Sequence, residues 1–192
     1  MFNKIGASIT GSGDNCECVP RDQMAHQHSS KFLLSDETPF IYLKSAKEDH
    51  IFTDRAYVAV RGESTVGQKK LTYRFDYFIH HISNVMFETA GMGVTDKDCE
   101  LKFTIGGQGV SIDIRKSEQE TGILYYRALT ALANAQAREA QQMNMFNQIN
   151  AKITLSASEQ KTVHDQTMAN AQAALSHFAP MSYAQVLQAY IR

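Results

Sequence analysis

From Asp49 to Arg61 the chain runs through two arms of β-branched and aromatic residues, Ile51-Phe52 and Ala56-Tyr57-Val58-Ala59-Val60, on either side of a tight Thr53-Asp54-Arg55 turn. Such residues favour a pleated, half-buried surface, and the turn between them predicts a β-hairpin. In the second arm Ala56, Val58 and Val60 alternate with Tyr57, Ala59 and Arg61. Side chains on a strand point alternately to opposite faces, so one face is expected in the core and the other in solvent. The segments on either side carry similar patterns. The hairpin is therefore expected at the centre of an antiparallel sheet.

Four more strands continue the sheet after the hairpin, and one precedes it. Phe40 to Leu43 is the first, and the hairpin supplies the second and third. Leu71 to Phe75 is the fourth and Ile82 to Glu88 the fifth. Leu101, Phe103 and Ile105 alternate with polar residues in the sixth, and Val110, Ile112 and Ile114 in the seventh. Gly106-Gly107-Gln108-Gly109 between them is a hairpin signal.

The period then changes from two to about 3.6. Ser117 to Glu120 has the spacing of a capping box, and Leu124, Ala128, Leu132 and Ala135 form one apolar helical stripe. From about Asn134 alanine, glutamine and asparagine dominate, which favours helix. Ser156 to Glu159 offers a second capping box, and Ser182 with Gln185 a third. Met168, Ala171, Leu175 and Phe178 repeat as a seam that needs an opposing helix, and Pro180 ends that segment. Val186, Leu187, Tyr190 and Ile191 give the last helix a narrow apolar face. This tail reads as an appendage to the sheet domain.

The chain has 192 residues, 43% of them hydrophobic, enough for one domain with a sizeable core. Its formal net charge is -1, with no basic block of the kind general nucleic-acid or anionic-membrane binders carry. No apolar run approaches the ~20 residues that span a bilayer, and Met1 to Gly6 lacks the apolar core of a signal peptide. A cytoplasmic protein is expected. Cys16, Cys18 and Cys99 form no disulfide framework and are expected as free thiols. Residues 1–30 contain a Gly/Ser/Thr-rich patch and, from Pro20, a short helix over Arg21 to Lys31. That helix has little apolar content and is expected on the surface.

Ile51-Phe52-Thr53-Asp54-Arg55 resembles the "vFT-n/d-R" hairpin of bacterial pleckstrin-homology (PH) domains. Gly67-Gln68-Lys69-Lys70 precedes the fourth strand, Phe87-Glu88-Thr89-Ala90-Gly91 is similar to the "vETAG" segment, and Asp98-Cys99-Glu100-Leu101-Lys102 to the "D-s-E-L-k" start of the sixth strand. These motifs occur in the family's order over Lys31 to Leu132. The chain departs from the pattern at Phe75-Asp76-Tyr77-Phe78, where many members read "iPY". The tail is similar in position and composition to a YvbH-like helical oligomerisation region. The resemblance implies an α+β fold: a PH-like, partly open seven-stranded antiparallel β-barrel capped by a helix, followed by an α-helical hairpin extension. Its parts would be an arm at 1–30, the PH-like domain at 31–133 and the helical extension at 134–192. The resemblance also implies self-assembly, often into rings, and no enzymatic activity.

Three residue sets carry chemistry worth weighing. Cys16, Cys18, His26 and His28 are all competent zinc ligands, but C-x-C is tighter than the usual knuckle and free side chains in a polar arm are the favoured reading. Metal and other cofactors are therefore not expected. His80-His81 is a pair of the residue type most used in acid–base chemistry, yet neighbours on a strand point to opposite faces and no nucleophile pattern accompanies them or Asp76. No catalytic residue is assigned. In the first loop Lys44 and Lys47 meet Glu48 and Asp49, whereas phosphate recognition needs converging positive charge.

The functional expectation is a non-enzymatic, self-associating scaffold that forms a homo-oligomer, with a ring as one arrangement and no nucleic-acid partner. Met143, Phe146, Met168, Leu175, Phe178, Leu187 and Tyr190 are its expected oligomerisation residues. The alternatives are a membrane-lipid adaptor and a small-molecule-binding barrel.

Overall fold

The computed structural model describes residues 15–62, 70–91, 98–151, 169–170, 172–173 and 180–191. Five antiparallel strands form one sheet in sequence order: β1 (Glu17–Cys18), β2 (Pro39–Lys44), β3 (Glu48–Thr53), β4 (Ala56–Gly62) and β5 (Lys70–Asp76). Three form the other: β6 (Ile82–Glu88), β7 (Asp98–Ile105) and β8 (Gln108–Arg115). The strand segments read from alternation all form. The β7–β8 connection is a two-residue turn in which Gly106 and Gly107 have φ of 57° and 74°, the left-handed conformation that glycine adopts without a Cβ clash.

The expected partly open barrel of seven strands forms only in part. Among the described residues there are eight strands in two sheets, and β5 is not hydrogen-bonded to β6. The extra strand, β1, is too short for any alternation to reveal. It pairs with β2, and just before it Cys16 bonds to Asp113 and Arg115, joining the two sheets along one side. The other side stays open because a helix satisfies the backbone there. The Gln136 side chain accepts a hydrogen bond from the Ile82 N–H at 2.9 Å and donates to the Tyr77 carbonyl at 3.2 Å. That buried amide does what a pairing strand would do.

The expectation of one wet face on the hairpin also fails. Every residue from Ala56 to Val60 is buried. Tyr57 and Ala59 face the space between the sheets, where Phe52, Tyr57 and Phe103 pack with ring centroids 4.8 to 5.4 Å apart. Val58 and Val60 pack on the other face with Tyr42, Ile51, Val19 and Met24. The N-terminal arm covers that face through α1 (Arg21–Met24) and a 3-10 turn (His28–Phe32). A surface helix was expected there, but Met24 is fully buried; one well-placed methionine suffices to seat a short helix.

A 3-10 turn at Lys116–Glu118 leads into the 33-residue helix α2 (Gln119–Ala151), and no side chain caps that turn in place of the expected Ser117–Glu120 box. The inward stripe is Tyr125, Ala128, Leu129, Leu132 and Ala135. Leu124, expected within it, is exposed, because the helix is rotated so that Tyr125 enters the core. Gly122 sits against Phe87, whose ring atoms would lie 2.8 Å from a Cβ there. α2 thus runs antiparallel along β6, from Phe87 at Gly122 to Ile82 at Gln136. The second capping box, the Met168–Phe178 seam and the second arm of the expected helical hairpin lie outside the described residues.

Candidate interaction site

The Thr53-Asp54-Arg55 turn organises one end of the molecule. Thr53 Oγ1 accepts hydrogen bonds from the Ala56 and Arg55 N–H groups at 2.8 and 3.0 Å and donates to Glu37 at 2.5 Å. The Glu37 carboxylate also accepts from Arg74 and from the Leu34 N–H, both at 2.9 Å. Asp54 is buried; its carboxylate accepts from the Thr38 N–H at 2.8 Å and the Ser182 hydroxyl at 2.7 Å. Its carbonyl accepts from the Tyr183 N–H at 2.7 Å, and the Arg55 carbonyl from the Tyr77 N–H at 2.8 Å.

Those bonds bring the last helix, α3 (Ala184–Gln188), back onto the sheets. Tyr183, Leu187 and Ile191 are buried in the same cluster as Phe52 and Leu132. The Tyr183 hydroxyl donates to Glu139 at 2.6 Å. Burial, with the Glu139 carboxylate as acceptor, pushes the Tyr183 phenol well above its ordinary range. Arg21 lies 4.9 Å above the Phe40 ring and donates to the Ile191 carbonyl at 3.2 Å, tying both chain ends together. The last helix is thus integrated into the core. Ser182 donates to Asp54 instead of forming the expected box with Gln185; its oxygen lies 3.3 Å from the Ala184 N–H, two residues on.

Of the expected oligomerisation residues, Leu187 is fully buried within this chain and Tyr190 is exposed. Met143 and Phe146 are half-buried on α2, beyond the end of the sheets. Met168, Leu175 and Phe178 lie outside the described residues. Tyr190 lines an open groove of about 610 Å³ with Asn134, Arg138 and Gln141 of α2.

The other sequence candidates do not converge. Among the described residues no three His, Cys, Asp or Glu side chains group closely enough to hold a metal ion. The cysteines are not surface side chains. Cys16 is buried and Cys18 half-buried, while His26 and His28 are exposed. Burial pushes both thiols far above their ordinary range, Cys18 also through Glu118. His80-His81 lies in the β5–β6 turn rather than on a strand; the His80 ring packs on Phe75.

Between β2 and β3, Asp49 accepts from Tyr42 at 2.9 Å and from the Ser29 hydroxyl. Lys44 donates to Gln27 at 2.9 Å. Burial works against ionised Glu48, but hydrogen bonds and charge from His50 and Arg61 outweigh it and hold the carboxyl at about 2. Its carboxylate lies 2.7 Å from Arg61 Nε and 3.1 Å from His50 Nε2.

The residues that sequence reading missed are Glu37, Gln136, Ser182 and Tyr183. The partners that give them these roles are distant in sequence, Thr53 16 positions from Glu37, Ile82 54 from Gln136 and Asp54 128 from Ser182, so no local pattern marks them.

A family model described as Bacterial PH domain matches residues 12–133, starting ahead of the motifs quoted above and taking in part of the arm. The chain is 30% identical over 135 residues to the uncharacterized protein YvbH of Bacillus subtilis (strain 168), a match covering 69% of this chain and 65% of that protein. It therefore spans less than two-thirds of that relative's length. The crystal structure of a PH-domain-containing bacterial protein from Exiguobacterium sibiricum 255-15 is similar with a TM-score of 0.79 at 25% identity, over 93% of this chain and 100% of that one.

Proposed function

Since the chain belongs to the bacterial PH domain family, we propose that it is a non-enzymatic scaffold that works by associating with copies of itself. PH domains are in general interaction modules. The observation that carries the reading is the end of α2. The fifteen residues beyond Gln136 extend the helix by about 22 Å at 1.5 Å per residue. From Ala140 to Gln148 that extension has no charged residue, and it carries Met143, Met145 and Phe146. Uncharged apolar surface on a projecting helix is what an association surface requires. A homo-oligomer follows, with a closed ring as one way of satisfying every copy. The interior between the sheets is filled by aromatic rings, which supports a scaffold over a small-molecule barrel.

No helix among the described residues is long and apolar enough to cross a membrane. In the β2–β3 loop Lys44 is already bonded to Gln27, so that loop offers no converging set of free cations. Two full-length copies with different tags, expressed together, test the reading: one tag is expected to retrieve the other, and failure to do so refutes it. Flotation with vesicles containing anionic lipid separates the rival, since the scaffold is expected to stay at the bottom of the gradient.

A further inference from the structure

Seven arginines lie among the described residues, and five of them have partners. Arg21 donates to the Ile191 carbonyl, Arg55 pairs with Asp36, Arg61 with Glu48, Arg74 with Glu37 and Asp76, and Arg115 with Glu17. Arg127 and Arg138, both exposed on α2, have none among the described residues. What sets Arg138 apart is the groove of about 610 Å³ between α2 and the last helix, which it lines. The groove forms because small side chains meet where the two helices pack, Ala131 and Ala137 of α2 against Val186 and Ala189. The bond from the Tyr183 hydroxyl to Glu139 fixes the start of α3 beside it.

We infer that this groove is a binding site for a small amphipathic anion: a carboxylate, sulfonate or phosphate carried on an apolar or aromatic body. The inference is independent of self-association. The polar rim is Asn134, Arg138 and Gln141 of α2, with Tyr190 facing them. Residues 134, 138 and 141 share one face of the helix. The Arg138 guanidinium presents a planar fork of donors that matches an acid group, and the two amides, one turn to either side, add donors to its oxygens. Tyr190 is 41% exposed and offers an aromatic face to the body of the ligand. No acidic side chain among the described residues lines the groove, and Glu139, next to Arg138 in sequence, is engaged by Tyr183. An unpaired cation over an alanine floor complements an anion with an apolar body better than a neutral ligand. The volume falls within the roughly 300 to 1,000 Å³ usual for small-molecule sites. Eight residues line it, against roughly 20 to 30 a side in a stable protein interface. One arginine recessed between helices is also not the converging basic patch that an anionic bilayer requires.

Fluorescence titration of the protein with anilinonaphthalene sulfonate, an aromatic anion, tests this. Saturable binding at one site per chain is expected. Arg138→Gln is expected to raise the dissociation constant at least about tenfold, through loss of a charge-assisted contact. Tyr190→Ser is expected to raise it by about threefold. Arg138 is exposed and glutamine is as good a helix former, so the melting temperature of Arg138→Gln is expected to equal the parent's. Arg127→Gln removes the same charge from the same face of α2, about 16 Å away at 1.5 Å per residue, and is expected to leave binding unchanged. Decanoate below its micellar concentration is expected to displace the probe, and decanol, with the same tail and no charge, to leave it bound. Absence of saturable binding overturns the inference, as does an Arg138→Gln variant that binds like the parent. Equal losses in Arg127→Gln and Arg138→Gln, or equal displacement by decanol, overturn it too, because the groove would then select neither by place nor by charge.

Discussion

Replacing Leu187 with alanine asks whether the last helix belongs to the sheet domain's core. Leu187 is fully buried in the cluster that holds Phe52, Leu132 and Tyr183. Truncating a buried leucine loses its transfer free energy and leaves a cavity, typically about 2 to 5 kcal/mol. A five-residue helix near the chain end can relax into the space, which favours the lower half of that range, about 2 to 3 kcal/mol. At roughly 2 to 4 °C per kcal/mol for a chain this long, the melting temperature falls by about 4 to 12 °C. The chain has no tryptophan, so urea unfolding is followed by far-UV circular dichroism. The expected result is one transition with a lower midpoint and an unchanged slope. Tyr190→Ala, at an exposed position of the same segment, is expected to cost under about 1 kcal/mol. An unchanged main transition in Leu187→Ala would refute the reasoning, because the helix would then be held independently of the sheets.

Three further outcomes follow from the same geometry. Asp54→Ala removes the acceptor for the Thr38 N–H and the Ser182 hydroxyl; about 1 to 3 kcal/mol of stability is expected to go, with faster amide exchange from Ser182 to Ile191, and protection equal to the parent's in that segment would count against the clasp. Glu48 is held at about 2 against an ordinary 4.5, a depressed acid, so its contribution is present above about pH 4.5 and lost as pH falls toward 2. That contribution is on the order of 3 kcal/mol; acid unfolding of Glu48→Gln should show a shallower pH dependence in this window, and a slope equal to the parent's would contradict the assignment. Purified protein is expected to hold no stoichiometric zinc, and elemental analysis showing one zinc per chain, lost on Cys16→Ser, would reverse the reading of the cysteines.

What the sequence revealed and what it hid divide along sequence separation. Alternation marked the strands because each records its own two faces, and Gly106-Gly107 marked its turn because that backbone needs positive φ at both residues. Burial of both faces of Ala56 to Val60 was hidden, since it depends on an arm about 35 residues upstream whose single buried anchor, Met24, has no periodic neighbours. The open side of the sheets depended on Gln136, which in a stretch of alanine and glutamine reads only as a helix former. Leu187 read as part of a narrow helical face with no sign of its partner. The Thr53-Asp54-Arg55 turn was visible as a turn and as a family motif. Its role as the anchor of Ser182 and Tyr183 joins Asp54 to Ser182, 128 positions away, and to the residue after it, and exists only in the folded chain.

The mass of this 192-residue chain in solution tests the central claim most directly. Light scattering across micromolar concentrations near neutral pH, without lipid, is predicted to give a mass of two or more whole copies of the 21.5 kDa chain. A mass of one chain throughout that range would contradict a protein whose function rests on self-association.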